Sequence, residues 1–241
     1  MGAFLAMSIS FKGVATLGAV CALAMSLAAC GNDKQASRGT DTVKELAQLA
    51  KSRLTGKKGA TAAAPDPLAV IESTMAAIPD VPLQFILLEK NGGFAVSAIY
   101  GQNGQNVTWI SSDSKSTTLS SGVLTATRGF GGDLMSVEDG GAARLIASRQ
   151  AGSVEKNYRF LNGEDQTERL VVRCEIALGG VDQVSSGEIS VSAQVVTERC
   201  QLNETFDFSN TYWIDSSSRM VQSIQWAGIS IGNIVFRRLR Y

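Results

Sequence analysis

From Leu83 onward, apolar and polar residues alternate in short runs. QFILLEK, FAVSAIY, VTWISS, TTL, VLTAT, VEKNYRFL, ERLVVRCEIAL, EISVSAQVVTERC, ETFDFSNTYWI, MVQSIQW and IVFRRLRY are rich in Val, Ile, Thr and aromatics. Clusters of Gly, Asn, Ser and Asp separate them, which is the signature of successive strands. No βαβ alternation is present. The pattern therefore predicts a mainly β fold, an antiparallel meander forming a sandwich or a partly open barrel. NGG after QFILLEK is a hairpin signal. A turn within 179–187 would set the flanking runs antiparallel. Residues 128–150 are the least regular, with a short helix expected over 142–147.

Ahead of the strands the period lengthens. Asp66 and Pro67 read as an N-cap followed by Pro at the first helical position. Leu68, Ile71, Met75 and Ile78 form a helical stripe that Pro79 ends. Residues 30–62 are rich in Ser, Gly, Ala, Lys and Asp and read as a tether. Within it, TVKELAQLAKSRLTG carries a capping-box spacing from Thr42 to Glu45 and a thin stripe through Val43, Leu46, Ala47, Ala50 and Leu54. This helix is expected to act as a spacer, or to dock on a partner. Residues 63–241 then form a single β-rich domain.

Residues 206–226 interleave aromatics with amides and hydroxyls. They predict a hairpin with a three-residue loop at 216–218. Ile214 would lie opposite Met220, Tyr212 opposite Gln222, Asn210 opposite Ile224, and Phe208 opposite Trp226. One face then gathers Phe206, Phe208, Tyr212, Ile214, Met220, Ile224 and Trp226. The other holds Ser209, Thr211, Trp213, Val221, Ser223 and Gln225. Trp213 with Thr211, Ser223 and Gln225 is the candidate glycan or partner surface, because an indole among hydroxyls and amides can stack on a sugar ring. If the helix at 66–78 covers that face, Trp213 is core instead.

The N-terminus changes the picture. Lys12 precedes an apolar run from Val14 to Ala29 that suits a secretory signal over 1–29. The run ends in Leu-Ala-Ala-Cys30, which resembles the bacterial lipobox, so Cys30 is the expected lipid attachment site. An ordinary cleaved signal or a membrane helix is the alternative. Several acyl chains on one residue give stable anchoring. Gly31 rather than Asp follows the cysteine, which by the sorting rule for such lipoproteins implies the outer membrane. Cys21 leaves with the signal, so Cys174 and Cys200 remain, in an oxidising compartment. They are expected to form a disulfide, with two buried thiols as the alternative.

Charge and composition exclude several functions. The chain has 22 basic and 22 acidic residues and no His. Near-neutral charge argues against nucleic acid. Without His there is no Ser-His-Asp or Cys-His centre and no His-ligated metal, and no cofactor is expected. RGFGGD at 128–133 lacks the spacing and Lys of a phosphate loop and reads as a turn. Glu164, Asp165 and Asp182 read as carboxylates near turns, and Asp207 and Asp215 as strand-edge and turn residues, rather than a glycosidase pair. FRRLR at 236–240 reads as a solvated edge strand, with contact to an anionic polysaccharide or lipid headgroup as the alternative.

FSNTYWID, a turn, SIQW and IGNIVFRRLRY at the C-terminus resemble the closing motif of the YjbF/GfcB lipoproteins, the group 4 capsule and exopolysaccharide lipoproteins. TWISSDSKSTTLSSGVLTATRGFGGDL over 108–134 is similar to a second block of that family, and the CEI and ERC segments fit it too. The family usually has Gly where this chain has Ser218, and Pro where it has Gly228. The resemblance covers about 83–241. It implies a periplasm-facing outer-membrane lipoprotein with no known catalytic residues. It also implies an accessory role in exopolysaccharide production or export, with polysaccharide and an outer-membrane β-barrel export protein as partners. A lipid or lipoprotein carrier with a half-open barrel and a polysaccharide-processing enzyme are the alternatives.

Overall fold

The computed structural model describes Lys44, Leu46, Gln48, residues 65–161 and residues 166–241. Cys30, the signal segment, Glu164 and Asp165 lie outside the described residues, as does most of the proposed tether helix. Helix α1 spans Pro67–Ala77 and α2 Ala142–Ala147. The strands are β1 Leu83–Leu88, β2 Phe94–Asn103, β3 Asn106–Ser111, β4 Ser116–Ser120, β5 Val123–Arg128 and β6 Leu134–Glu138. They continue as β7 Gly152–Leu161, β8 Thr167–Ser186, β9 Ile189–Asn203, β10 Phe206–Asp215, β11 Met220–Trp226 and β12 Asn233–Arg240.

All twelve strands belong to one antiparallel sheet in the order β5-β4-β3-β2-β1-β12-β11-β10-β9-β8-β7-β6. Every strand pairs with its neighbours in sequence except that β5 does not pair with β6, and the first and last strands pair with each other, Ile86 opposite Phe236. The meander thus forms a nearly closed barrel whose free edges, β5 and β6, are consecutive in the chain.

The gap between those edges is bridged by side chains. The Thr127 hydroxyl donates to Asp133 Oδ1 at 2.7 Å and accepts from the Leu134 amide at 3.0 Å. The Arg128 guanidinium donates to the Leu134 and Met135 carbonyls at 3.0 and 3.3 Å. Asp133 also accepts from the Gly129 and Phe130 amides at 2.8 and 3.2 Å. RGFGGD is therefore a turn, and its side chains fasten the barrel seam.

FRRLR is not an edge. β12 lies between β1 and β11, because the N-terminal strand needs a partner. Phe236 and Arg238 point inward. A bulge opposite Leu83 turns Arg240 outward, where it binds Glu188 at 2.6 Å and the Ile78 and Met75 carbonyls at the end of α1. A cation there satisfies carbonyls that the last helical turn leaves free. Asp66 caps the other end, accepting from the Leu68 amide at 3.2 Å.

Two covers protect the outer face. Helix α1 packs Val70, Ile71, Met75 and Ile78 over Leu83, Phe85, Val96, Ala98 and Leu239. Leu68, expected in that stripe, is exposed. Leu46 is helical and buried in the same cluster, so this part of the tether docks on the barrel of its own chain. The second cover is the β8–β9 hairpin. Its ladder slips between Leu178 and Val181, at Gly179 and Gly180, and the strands continue to Ser186 and Ile189, so the turn falls at the far end of the expected 179–187 range. Beyond the slip the hairpin packs Val184, Ile189 and Ala193 against Val221.

The seam predicts a specific loss. Asp133→Ala leaves the buried Thr127 hydroxyl and two amides without their acceptor, and should cost about 1–3 kcal/mol in urea unfolding. Asp207→Ala, on the exposed face of β10, should stay within about 0.5 kcal/mol. Equal effects would show that the seam is not held this way.

Candidate functional site

Asp215 folds the β10–β11 turn. Its carboxylate accepts from the Ser217 and Arg219 amides at 2.8 and 2.9 Å and from Arg219 Nε at 2.9 Å. The loop is 216–218, and Ile214 faces Met220 as expected. Ser218 takes a left-handed φ of 61°, the position where the resembling family carries Gly. One step further the register departs from expectation. A bulge sets Trp213 opposite Gln222, Tyr212 opposite Ser223 and Thr211 opposite Ile224. An inserted residue reverses the facing of everything after it.

The four residues expected to share a polar surface are therefore divided. Ser223 and Gln225 are buried inside the barrel. Thr211 and Trp213 stay on the outer face, half-buried. Trp213 packs against the cover formed by β8–β9 and donates from Nε1 to Asp182 Oδ2 at 2.9 Å. That hairpin, not α1, covers it.

The inward residues make a polar centre. Glu198 accepts from Lys156 Nζ at 3.2 Å to each oxygen, from Asn210 Nδ2 at 2.7 Å and from the Tyr212 hydroxyl at 2.7 Å. Lys156 and Glu198 side chains are 1% and 0% exposed. Burial disfavours the Lys156 charge, but Tyr158 and the Glu198 carboxylate outweigh it and hold the ammonium above its ordinary range. Burial, with Glu198 next, pushes the Tyr212 hydroxyl well up. Gln225 spans the interior, accepting from the Leu124 amide at 2.7 Å and donating to the Gly122 carbonyl at 2.8 Å. Cys174 and Cys200 are joined in a disulfide across β8 and β9, with Cα atoms 4.0 Å apart. Cys174, Glu198 and Cys200 cluster closely, but the two sulfurs are bonded to each other and are not free to ligate a metal.

Beyond this centre lies a group of aromatic rings that leads to solvent. Trp226 stacks on Phe208 at 4.2 Å between centroids, and meets Tyr158, Phe160 and Phe206 edge-on at 5.5, 5.7 and 5.8 Å. Phe160 and Phe206 are only half-buried. Phe160, Leu170 and Trp226 line a cleft of about 590 Å³, with Ile229 on its rim and Glu168 and Arg169 beside it. Gly228 makes this possible. Its φ is 115°, and a Cβ there would come within 2.6 Å of the Phe160 ring. An apolar floor with charged groups at its edge fits the usual character of a small-ligand cleft.

The sequence identifies Phe208 and Trp226 as core but does not reveal the cleft. Phe160 and Leu170 come from β7 and β8, and Ile229 from the β11–β12 turn. The lone local signal is Gly228 immediately after Trp226-Ala227.

The model of a family described as group 4 capsule polysaccharide lipoprotein GfcB, YjbF matches residues 60–239. Among solved structures, the hypothetical lipoprotein YmcC from Escherichia coli is 15% identical, with a TM-score of 0.62, over 71% of this chain and 89% of that one. At that identity the likeness is one of fold. An exported protein with a YmcC-like fold from Bacteroides fragilis is 9% identical, with a TM-score of 0.27, over 66% of this chain and 93% of that one. No curated protein matches the sequence.

Two stability predictions follow from the hairpin and the polar centre. Lys156→Met strands a buried carboxylate and should cost about 3–5 kcal/mol. Combining it with Glu198→Gln should restore much of that loss. Simple additivity in denaturant unfolding would show that the two groups are not coupled. Ser218→Gly relieves a left-handed backbone and should stabilise by about 1 kcal/mol; a lower melting temperature would contradict the turn geometry.

Proposed function

Because the chain belongs to the YjbF family of group 4 capsule polysaccharide lipoproteins, we propose that it is an outer-membrane lipoprotein with a non-enzymatic accessory role in capsule or exopolysaccharide production or export. The match carries this reading because it spans nearly the whole barrel rather than a short motif. On this reading, residues 1–29 are removed, Cys30 carries the lipid, and 30–62 link the anchor to a periplasm-facing domain at 63–241.

The geometry supports an accessory role over the other two. A carrier of acyl chains needs an open apolar lumen, whereas this interior is occupied by Trp109, Tyr158, Tyr212 and the Lys156–Glu198 pair. A glycosidase needs two carboxylates facing a substrate. Here Asp182 accepts from Trp213, Asp215 holds its own turn, and Glu198 is enclosed. The aromatic cleft is the surface best suited to meet polymer or an outer-membrane export barrel. Nucleic acid is not a partner on this reading.

The test is deletion in the native host, scored for extracellular polysaccharide. Wild type should restore polymer, and Cys30→Ala should not. Ile229→Asp, at an exposed position on the cleft rim, should restore it poorly at normal protein abundance. Unchanged polymer after deletion would sink the role, and full rescue by Ile229→Asp would remove the cleft from it.

A further inference from the structure

At the opposite end of the barrel from the aromatic cleft, α2 closes over a second pocket. It measures about 360 Å³, with Val107, Trp109, Met220, Arg238 and Tyr241 around it and Ala147 of α2 on its other side. The Arg238 guanidinium lies over the Trp109 ring, 4.2 Å from its centroid. It is half-buried with its Nε fully enclosed, and among the described residues it has neither a hydrogen bond nor a carboxylate partner. Burial lowers its pKa to about 10, against the opposing influence of Tyr241. The neighbouring Arg219 differs, being paired with Asp215 at 2.9 Å.

Arg238 is not an isolated oddity. Among the described residues, four buried side-chain polar atoms lack a partner: Gln84 Nε2, Trp109 Nε1, Thr117 Oγ1 and Arg238 Nε. They belong to one neighbourhood, with Trp109 and Arg238 lining the pocket and Gln84 and Thr117 behind them. Gln84 is the cross-strand partner of Arg238, and Thr117 is that of Trp109. Three of the four are N–H donors with no acceptor, and the fourth is a hydroxyl that can donate. Buried polar groups are nearly always satisfied, so a concentration of unused donors around a cation indicates a missing acceptor. An unpaired, partly buried cation also opposes folding, and a bound anion would offset that.

We infer that this pocket binds the carboxylate of an acidic sugar residue, with Arg238 as the ion-pairing group and Trp109 as its support. A guanidinium matches a planar carboxylate with two parallel hydrogen bonds. The Tyr241 and Met220 side chains offer apolar contact to the ring that carries it. The choice of a sugar rests on the proposed polysaccharide role, whereas the choice of an anion rests on the donors alone.

The test uses the detergent-solubilised full chain, titrated with a galacturonic acid trisaccharide, its neutral galactose counterpart and inorganic phosphate. Binding is read by calorimetry and tryptophan fluorescence. The acidic trisaccharide should bind saturably and the neutral one should not, a comparison that needs no variant. Arg238→Gln should weaken binding at least about tenfold while its melting temperature holds or rises. Trp109→Phe, which keeps a ring face but loses the N–H, should weaken it less. Equal binding of both sugars, or undiminished binding by a folded Arg238→Gln, would overturn the site. Phosphate binding that excludes the acidic sugar would overturn the sugar assignment. Binding as expected in a host where deletion leaves polymer unchanged would retain the site and remove the polysaccharide role. Polymer lost on deletion but fully restored by Arg238→Gln would do the reverse.

Discussion

A barrel of twelve strands encloses more space than aliphatic side chains projecting from its walls can fill, and the way that space is filled governs the rest of the molecule. About eight strands give an interior that side chains alone fill comfortably. Here large and polar groups occupy the excess. Trp109, Tyr158 and Tyr212 are almost completely buried, and α2 adds Ala142, Ala143 and Ile146 from one end. Gln225 joins β11 to backbone groups of β5 and the β4–β5 turn across the interior. Such groups must be satisfied wherever water is excluded. Glu198 meets that requirement with Lys156, Asn210 and Tyr212. The Arg238 neighbourhood does not, and that contrast within one interior distinguishes it from scaffold.

The same filling separates the two ends. At one, the aromatic group built around Trp226 continues outward, so a cleft opens onto ring edges and apolar side chains. At the other, α2 leaves a smaller pocket bordered by a cation. The Lys156–Glu198 centre and the Cys174–Cys200 disulfide tie β7, β8, β9 and β10 together. A cross-linked wall of this kind can hold surface groups in register, which suits the accessory role proposed above.

Much of this was legible in the residues themselves. The strand runs, the Asp66–Pro67 helix start, the short helix over 142–147 and the 216–218 loop each rest on chemistry confined to a few neighbouring positions, and the pairing of the last two cysteines follows from their being the two that remain. The resembling blocks at 108–134 and at the C-terminus also acquire a physical meaning, since the first contains the Thr127, Arg128 and Asp133 side chains that fasten the seam.

The sequence by itself determined that the chain is an antiparallel meander and where most of its turns fall, because alternation and turn chemistry are local. It did not determine which alternate residues face inward. On β10 to β12 both faces are covered, one by the interior and the other by α1 or the β8–β9 hairpin, so polarity no longer marks the solvent side. A single bulge beyond Met220 then sent Ser223 and Gln225 inside and left Thr211 and Trp213 outside. Pairing of β12 with β1 turned an apparent edge into a central strand and carried Arg238 into the barrel. These outcomes depend on partners far away in the chain, and only tertiary packing could decide them.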